Sequence, residues 1–292
     1  RACFFSTAHT DEDINFVIQA IKETIQVMRD GGFFPPKSGQ SKPTLALNTS
    51  KAAIATAVTA ISSTNVTATT SAINKSAQFG LYFFGDYDAA FSQDKYDLMI
   101  QGGRYADQNG FSAIWLPERH FDKFGGFSPN PSLLAAALAR ETKHIQLRAG
   151  SVVMPLHHPL RVAEEWAVVD NLSNGRAGIS FASGWHPNDF ALAPDNFSNN
   201  RALTFEGIDT VRRLWRGESV SFKGGDGKDV SLRVYPQPKQ PELSGWLTVV
   251  ANPETYRKAG EMGLGVLTNL LGQSLEDLEK NLTIYRQALA EA

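Results

Sequence analysis

The stretch HIQLRAGSVVMPLHHPLRVAEEWAVVDNLSNGRAGISFAS (His144–Ser183) decides the fold. HIQLRAGSVVM reads as a buried strand, Leu160–Leu172 as an amphipathic helix, and RAGISFAS as a second strand. Strand, helix, strand within about 40 residues is a βαβ unit, whose two strands run parallel. Reading outward, the rhythm repeats. Before it come FGLYFFG, a helix over Tyr96–Asn109, the strand GFSAIWLPERH and a helix over Pro131–Arg140. After it come a helix over Leu203–Trp215, the strand WLTVVAN, a helix over Pro253–Met262 and the strand GVLTNLL. Leu275, Leu278, Leu282, Tyr285 and Leu289 then mark a last helix. One insertion breaks the rhythm: SVSF and VSLRV, joined at Gly224–Gly227, read as a hairpin.

Two α/β architectures fit, a doubly wound sheet and a (β/α)8 TIM barrel. No strand leads into a G-x-G-x-x-G turn, which disfavours the dinucleotide-binding version of the first. The unusual polar residues gather at strand C-terminal ends, where barrels carry their sites. Only six βα units are counted against the eight of a full barrel. The expectation is therefore a barrel truncated after its sixth unit, unstable alone and continuing past Ala292.

The flanking chain differs. Thr10 and Asp13 form a near capping box, and Ile14, Val17, Ile18, Ile21, Ile25 and Met28 follow at helical spacing until Gly31-Gly32. Residues 1–35 thus read as the end of a domain. Residues 36–77, rich in Ser, Thr and Ala, read as a flexible tether, and 78–292 as the main domain. The chain starts at Arg1 without Met, as a piece of something longer would.

Composition narrows the function. The 292 residues carry a formal charge of −2, so neither nucleic acid nor an anionic membrane is an expected partner. The single cysteine, Cys3, rules out an internal disulfide and fits a reducing, cytoplasmic location. No apolar run approaches a membrane span, and the N-terminus has no signal-peptide pattern.

Five places carry candidate chemistry. In AIWLPERHF, strand alternation puts Glu118 and His120 on one face and Arg119 on the other. A carboxylate beside an imidazole suits proton handling near neutral pH, or is simply a buried hydrogen bond. Gly150 before Ser151 lets another group approach the backbone. His157 and His158 are adjacent, and adjacent side chains seldom face one metal ion, so no metal is expected and His158-Pro159 is read as a helix start. In VVANPETYRKAG, Asn252 is an N-cap with Pro253 at the first helical position, an end that suits a phosphate; Thr255 could add a hydroxyl, and Glu254 is an awkward neighbour. GISFA (Gly178–Ala182) is one residue away from a hydrolase nucleophile elbow, with Ser180, Ser183, His186 and Asp189 close by. Residues so near in sequence seldom build a triad, and a loop follows where an elbow needs a helix.

The run IWLPERHF…GWHPNDF, with Glu118-x-His120, HHPLRVAEE, VDNLSNGR and NDF, resembles the bacterial luciferase-like flavin monooxygenases from about Phe79 to the chain end. FASGWHPNDFALAP and RKAGEMGLGVLTNLLGQS resemble the members embedded in nonribosomal peptide and polyketide assembly lines. FFSTAHTDEDI resembles the C-terminal end of class III (glutamate-1-semialdehyde-type) aminotransferases, without their PLP-binding lysine motif. The resemblance implies a (β/α)8 barrel holding reduced FMN, supplied by a separate flavin reductase, that reacts with O2 to a C4a-hydroperoxide. It places the flavin against Gly150-Ser151, where the family can hold a cis peptide, and against Ala182 and Ser183. Asn252 and Thr255 take its phosphate, and Glu118 and His120 form the active-site pair. Ser183 stands where several relatives have a phosphate-binding arginine. Arg119 stands where the light-emitting enzymes have histidine, so light emission is not expected. The implied substrate is a β-keto or β-amino acyl thioester on the phosphopantetheine arm of a carrier protein, with an aminotransferase domain as neighbour and PLP confined to that domain. A homodimer is compatible with the resemblance. The competing readings are an F420-dependent oxidoreductase and a non-catalytic, flavin-free structural domain.

Overall fold

The structure is a computed structural model that describes residues 2–5, 78–84 and 96–292. The helix expected over residues 10–31 and the tether over 36–77 lie outside the described residues. Six strands run parallel: β2 (Gly80–Tyr82), β3 (Ala113–Leu116), β4 (Gln146–Val153), β5 (Ala177–Ala182), β8 (Ser244–Thr248) and β9 (Gly265–Asn269). Each is followed by a helix: α1 (Asp97–Gln108), α2 (Pro131–Glu141), α3 (Pro159–Ser173), α4 (Asn200–Trp215), α5 (Pro253–Glu261) and α6 (Leu275–Glu291). The inserted hairpin forms a separate two-stranded sheet, β6 (Val220–Lys223) with β7 (Asp229–Leu232). β1 (Ala2–Phe5) adds antiparallel to the β9 edge.

Along the parallel sheet the strands stand in chain order, β2-β3-β4-β5-β8-β9. A doubly wound sheet reverses its order at a switch point. No reversal occurs here, so the sheet has the winding of a (β/α)8 barrel with six units present.

Strand alternation sorts the core into two layers. Ile114, Leu116, Leu147, Ala149, Ile179 and Phe181 are fully buried, as are Leu138, Trp166, Ile208, Val211 and Leu214 on the helices. Each large side chain withdrawn this way contributes about 1.5–3 kcal/mol. On the other face of the sheet, Ala113, Trp115 and Leu267 cluster with Tyr82 and Trp246. The Arg148 guanidinium lies 5.0 Å from the Trp115 ring and 4.3 Å from the Trp246 ring. Burial pushes that guanidinium down to about 10.

The VDNLSNGR segment is a structural joint. Asn174 ends α3 in the left-handed conformation, with Gly175 following at φ 86°. Asp170, fully buried, accepts the backbone N–H groups of Lys239 and Gln240. Arg176 donates to the carbonyls of Ala139, Thr142, Ile145 and Ser173, tying the ends of α2 and α3 to the start of β4.

Candidate active site

Pro117 ends β3, because it has no N–H for the ladder. Glu118 and His120 therefore sit in the loop beyond the strand, not on its pleat as alternation implied. That loop is fixed by its own bonds. Ser128 Oγ donates to Pro117 O at 2.5 Å, and Arg119 N–H donates to Ser128 O at 3.1 Å. The Arg119 guanidinium is spent on Asp122 (2.9 Å) and Asp189 (3.1 Å). Asp189 thereby joins the HPNDF loop to the Glu118 loop. Phe121 takes φ 54°, a left-handed conformation that bulky residues adopt at a cost of about 1–3 kcal/mol and that clusters at functional sites.

The side chain of Glu118 is fully enclosed and fully bonded. Oε2 accepts Val153 N–H at 2.8 Å, while Oε1 meets His120 Nε2 at 2.8 Å and His157 Nε2 at 2.6 Å. Burial pushes its carboxyl up, but the two imidazole bonds, the His157 charge and the Val153 N–H outweigh this and hold it below the usual carboxylate value. For His157, burial pushes down, and the Glu118 bond with the charges of Glu118 and Glu165 pushes up further, for a net rise. An ionised carboxylate can only accept, so each ring presents Nε2–H to it. On His120, Nδ1 is then the nitrogen left facing away from Glu118.

His157 and His158 diverge. His157 turns to Glu118, and His158 Nδ1 accepts Leu160 N–H at 3.3 Å as the N-cap of α3 ahead of Pro159. His157 is a site residue that sequence reasoning missed, since the 3-10 turn over Met154–Leu156 breaks any periodicity from which its direction could be read.

A second cluster lies on the same strand end. The Gly150–Ser151 peptide is cis, and the Tyr82 hydroxyl donates to Gly150 O. Burial pushes that phenol up to about 12, so it stays a donor. The β4–β5 register slips between Gly150 and Val152, which leaves Ser151 as the bulged residue. Its Oγ meets Thr248 Oγ1 at 2.5 Å, and Thr248 Oγ1 also meets Ser180 Oγ at 2.7 Å. Ser180 is thus buried in a hydroxyl triad, and His186 Nδ1 finds no hydrogen-bond partner among the described residues. Among the described residues no serine–histidine hydrogen bond exists for a hydrolase.

Thr248 also borders a small cleft lined with Ser183, Arg201, Thr204, Phe205, Leu247 and Thr255. Asn252 caps α5 by accepting Thr255 N–H at 3.2 Å on its Oδ1. Glu254 pairs with Arg257, three residues on, which answers the worry about an acid beside an anion. Arg201 Nη2 donates to Thr255 Oγ1 at 2.6 Å, and no carboxylate pairs with it among the described residues. A cation in the first turn of α4 works against the helix dipole. That was the signal that could have singled Arg201 out from sequence. An unpaired guanidinium, two hydroxyls and a helix N-terminus fit the phosphate of a flavin mononucleotide. Of the residues expected to line the flavin, the structure brings Ser183 and Thr255 together in this cleft. Ser151 reaches it through Thr248, and Ala182 ends β5 immediately before Ser183. Glu118 and His120 form the other group, joined by Val153, two residues along β4 from Ser151.

Among the described residues no helix is long and apolar enough to cross a membrane. The pattern of the luciferase-like monooxygenases matches residues 77–292. The oxygenase component of the flavin-dependent trigonelline monooxygenase of Acinetobacter baylyi is 33% identical over 69% of this chain and 56% of its own. The alkanal monooxygenase alpha chain of Photorhabdus laumondii is 32% identical over 73% of this chain and 59% of its own. Among solved structures, the monooxygenase RslO1 of Streptomyces bottropensis superposes with a TM-score of 0.67 at 29% identity, over 74% of this chain and 67% of that one. The FMN complex of the oxygenating constituent of 3,6-diketocamphane monooxygenase from Pseudomonas putida shares the fold, with a TM-score of 0.63 at 21% identity over 74% and 63%. The chain spans 56% and 59% of the length of the two curated relatives named above. By the match over residues 77–292 and these likenesses, the chain belongs to the luciferase-like monooxygenase family.

Proposed function

We propose that the chain is the flavin-binding oxygenase part of a two-component monooxygenase that hydroxylates a β-keto or β-amino acyl thioester held on a carrier protein. The observation that carries the reading is the Glu118 carboxylate, buried under His120 and His157 at the end of the strand that also carries Gly150-Ser151. Reduced FMN, when bound, supplies the activation of O2. Arg201, Thr255 and Ser183 would hold its phosphate, and Gly150, Ser151 and Ala182 would meet its ring. The chain's own residues handle the substrate proton. Glu118 orients His120, and His120 Nδ1 takes the proton from the carbon next to the thioester carbonyl, which in the β-keto substrate lies between two carbonyls. Proton removal leaves an electron-rich carbon, the atom that an electrophilic oxygen donor attacks. The overall reaction balances as RH, O2 and reduced flavin giving ROH, water and oxidised flavin.

The carrier-bound substrate rests on the sequence likeness to assembly-line members and on the aminotransferase-like residues 1–35, of which Ala2–Phe5 pair with β9 and which we propose derive from the end of a neighbouring domain joined through the tether 36–77. A separate reductase is in keeping with a relative that is named an oxygenase component. A cytoplasmic location belongs to the same proposal. The test is intact-protein mass spectrometry of a carrier loaded with a β-ketoacyl group, incubated with the chain, FMN, a reductase and O2. A gain of one oxygen atom is expected. Oxidised flavin and hydrogen peroxide as the only products on both β-keto and β-amino acyl carriers would refute it, and parallel titration with F420 separates the two cofactors.

A further inference from the structure

His157 shares a single oxygen atom with His120, Oε1 of Glu118. Both rings donate Nε2–H to it, so each has one further protonation site, Nδ1. One added proton is well placed, as an imidazolium on a buried carboxylate. A second would set two cations on one anion, so the pair takes up its protons in two separated steps. The surroundings decide which ring is first. His157 lies the closer to Glu118 and also feels Glu165. Glu165 is itself held by Arg161, Ser132 and Asn130. The His157 side chain is 28% exposed against 11% for His120, so solvent reaches His157 more readily. His158 faces the start of α3, and Arg119, beside His120 in the chain, is committed to Asp122 and Asp189.

We propose that His157 is a positioning residue that carries the pair's standing proton: as an imidazolium on Glu118 it opposes protonation of His120 and keeps Nδ1 of His120 open as the base at neutral pH. The upward push on His157 from Glu118 and Glu165 agrees with this. The catalytic consequence rests on the function proposed above; the proton arrangement does not.

The test compares His157→Gln, which keeps an N–H for Glu118 without a charge, with His157→Lys, which restores a cation. In the full chain without flavin, nitrogen-15 NMR at pH 7 should show a bare Nδ1 on His120 in the parent and in His157→Lys. In His157→Gln that nitrogen should become protonated. The acidic limb of the pH–activity profile should rise by about one pH unit in His157→Gln, roughly a tenfold loss below the limb, with recovery at alkaline pH. An unmoved limb, or an equal loss at every pH in both variants, would overturn the proposal. So would a His120 Nδ1 that is protonated at pH 7 in the parent. The NMR result as expected with no oxygenation of any substrate would sink the proposed function and leave this inference standing.

Discussion

Arg201→Met tests the phosphate cleft quantitatively. The guanidinium has Thr255 Oγ1 at 2.6 Å and no carboxylate among the described residues, so it is available to a phosphate. A hydrogen bond to a charged group contributes about 1.5–3 kcal/mol. Removing it should weaken FMN binding by roughly ten- to 150-fold, at about 1.4 kcal/mol per tenfold. Methionine keeps most of the apolar stem. Taking a cation from the first turn of α4 removes an unfavourable dipole contact of about 0.3–1 kcal/mol, so the chain should melt no lower than the parent. The assay is isothermal titration with FMN and with riboflavin at one ionic strength. Riboflavin has no phosphate, and its affinity should stay within about twofold while that of FMN falls. An equal loss for both ligands would show that the substitution disturbs the ring site. No loss for FMN would refute the assignment of the cleft.

Other substitutions probe the frame and the buried carboxylate. A Cβ at Gly260 would lie 2.5 Å from Tyr285 O and 2.8 Å from Leu289 N, where α5 meets backbone of α6 that cannot swing aside. Gly260→Ala should therefore destabilise by about 1–3 kcal/mol in denaturant unfolding. Arg176→Met leaves four backbone carbonyls without their donor and should cost about 3 kcal/mol or more by the same measurement. Glu118 is held below its ordinary value and His157 above its own. The first contribution is present above about pH 4.5 and fades as pH falls through the folded value. The second is present below about pH 6.5 and fades as pH rises through its folded value. The stability gap between the parent and Glu118→Gln should be widest between those limits and narrow on both sides.

The fold was largely legible in the sequence because a parallel strand buried on both faces is apolar throughout and each is followed by a 3.6-residue pattern. Ile114-Trp115-Leu116 and Ile179–Phe181 carry that signal, and helices start at Pro131, Pro159 and Pro253. The GFSAIWLPERH strand was read too long, since Pro117 stops its ladder. The two 3-10 segments Pro187–Leu192 and Pro194–Asn199 have no periodicity long enough to detect. The site was half legible. Glu118 with His120, and Asn252 with Thr255, are local in sequence. His157 meets Glu118 across 39 residues, and Thr248 meets Ser151 across 97. Such contacts depend on how strands line up in the sheet, which spacing along the chain does not encode. Thr248 left one trace, a polar residue on the same face as Trp246.

The most direct measurement of the central claim is isotope tracing with 18O2. The full chain, FMN, a flavin reductase and a carrier bearing a β-ketoacyl thioester are incubated under labelled oxygen, and the carrier is weighed by mass spectrometry. The account predicts one labelled oxygen atom per product, no label from H2 18O, and loss of that product in Glu118→Gln and in His120→Ala with flavin binding retained. A product whose added oxygen comes from water, or full activity in both variants, would contradict it.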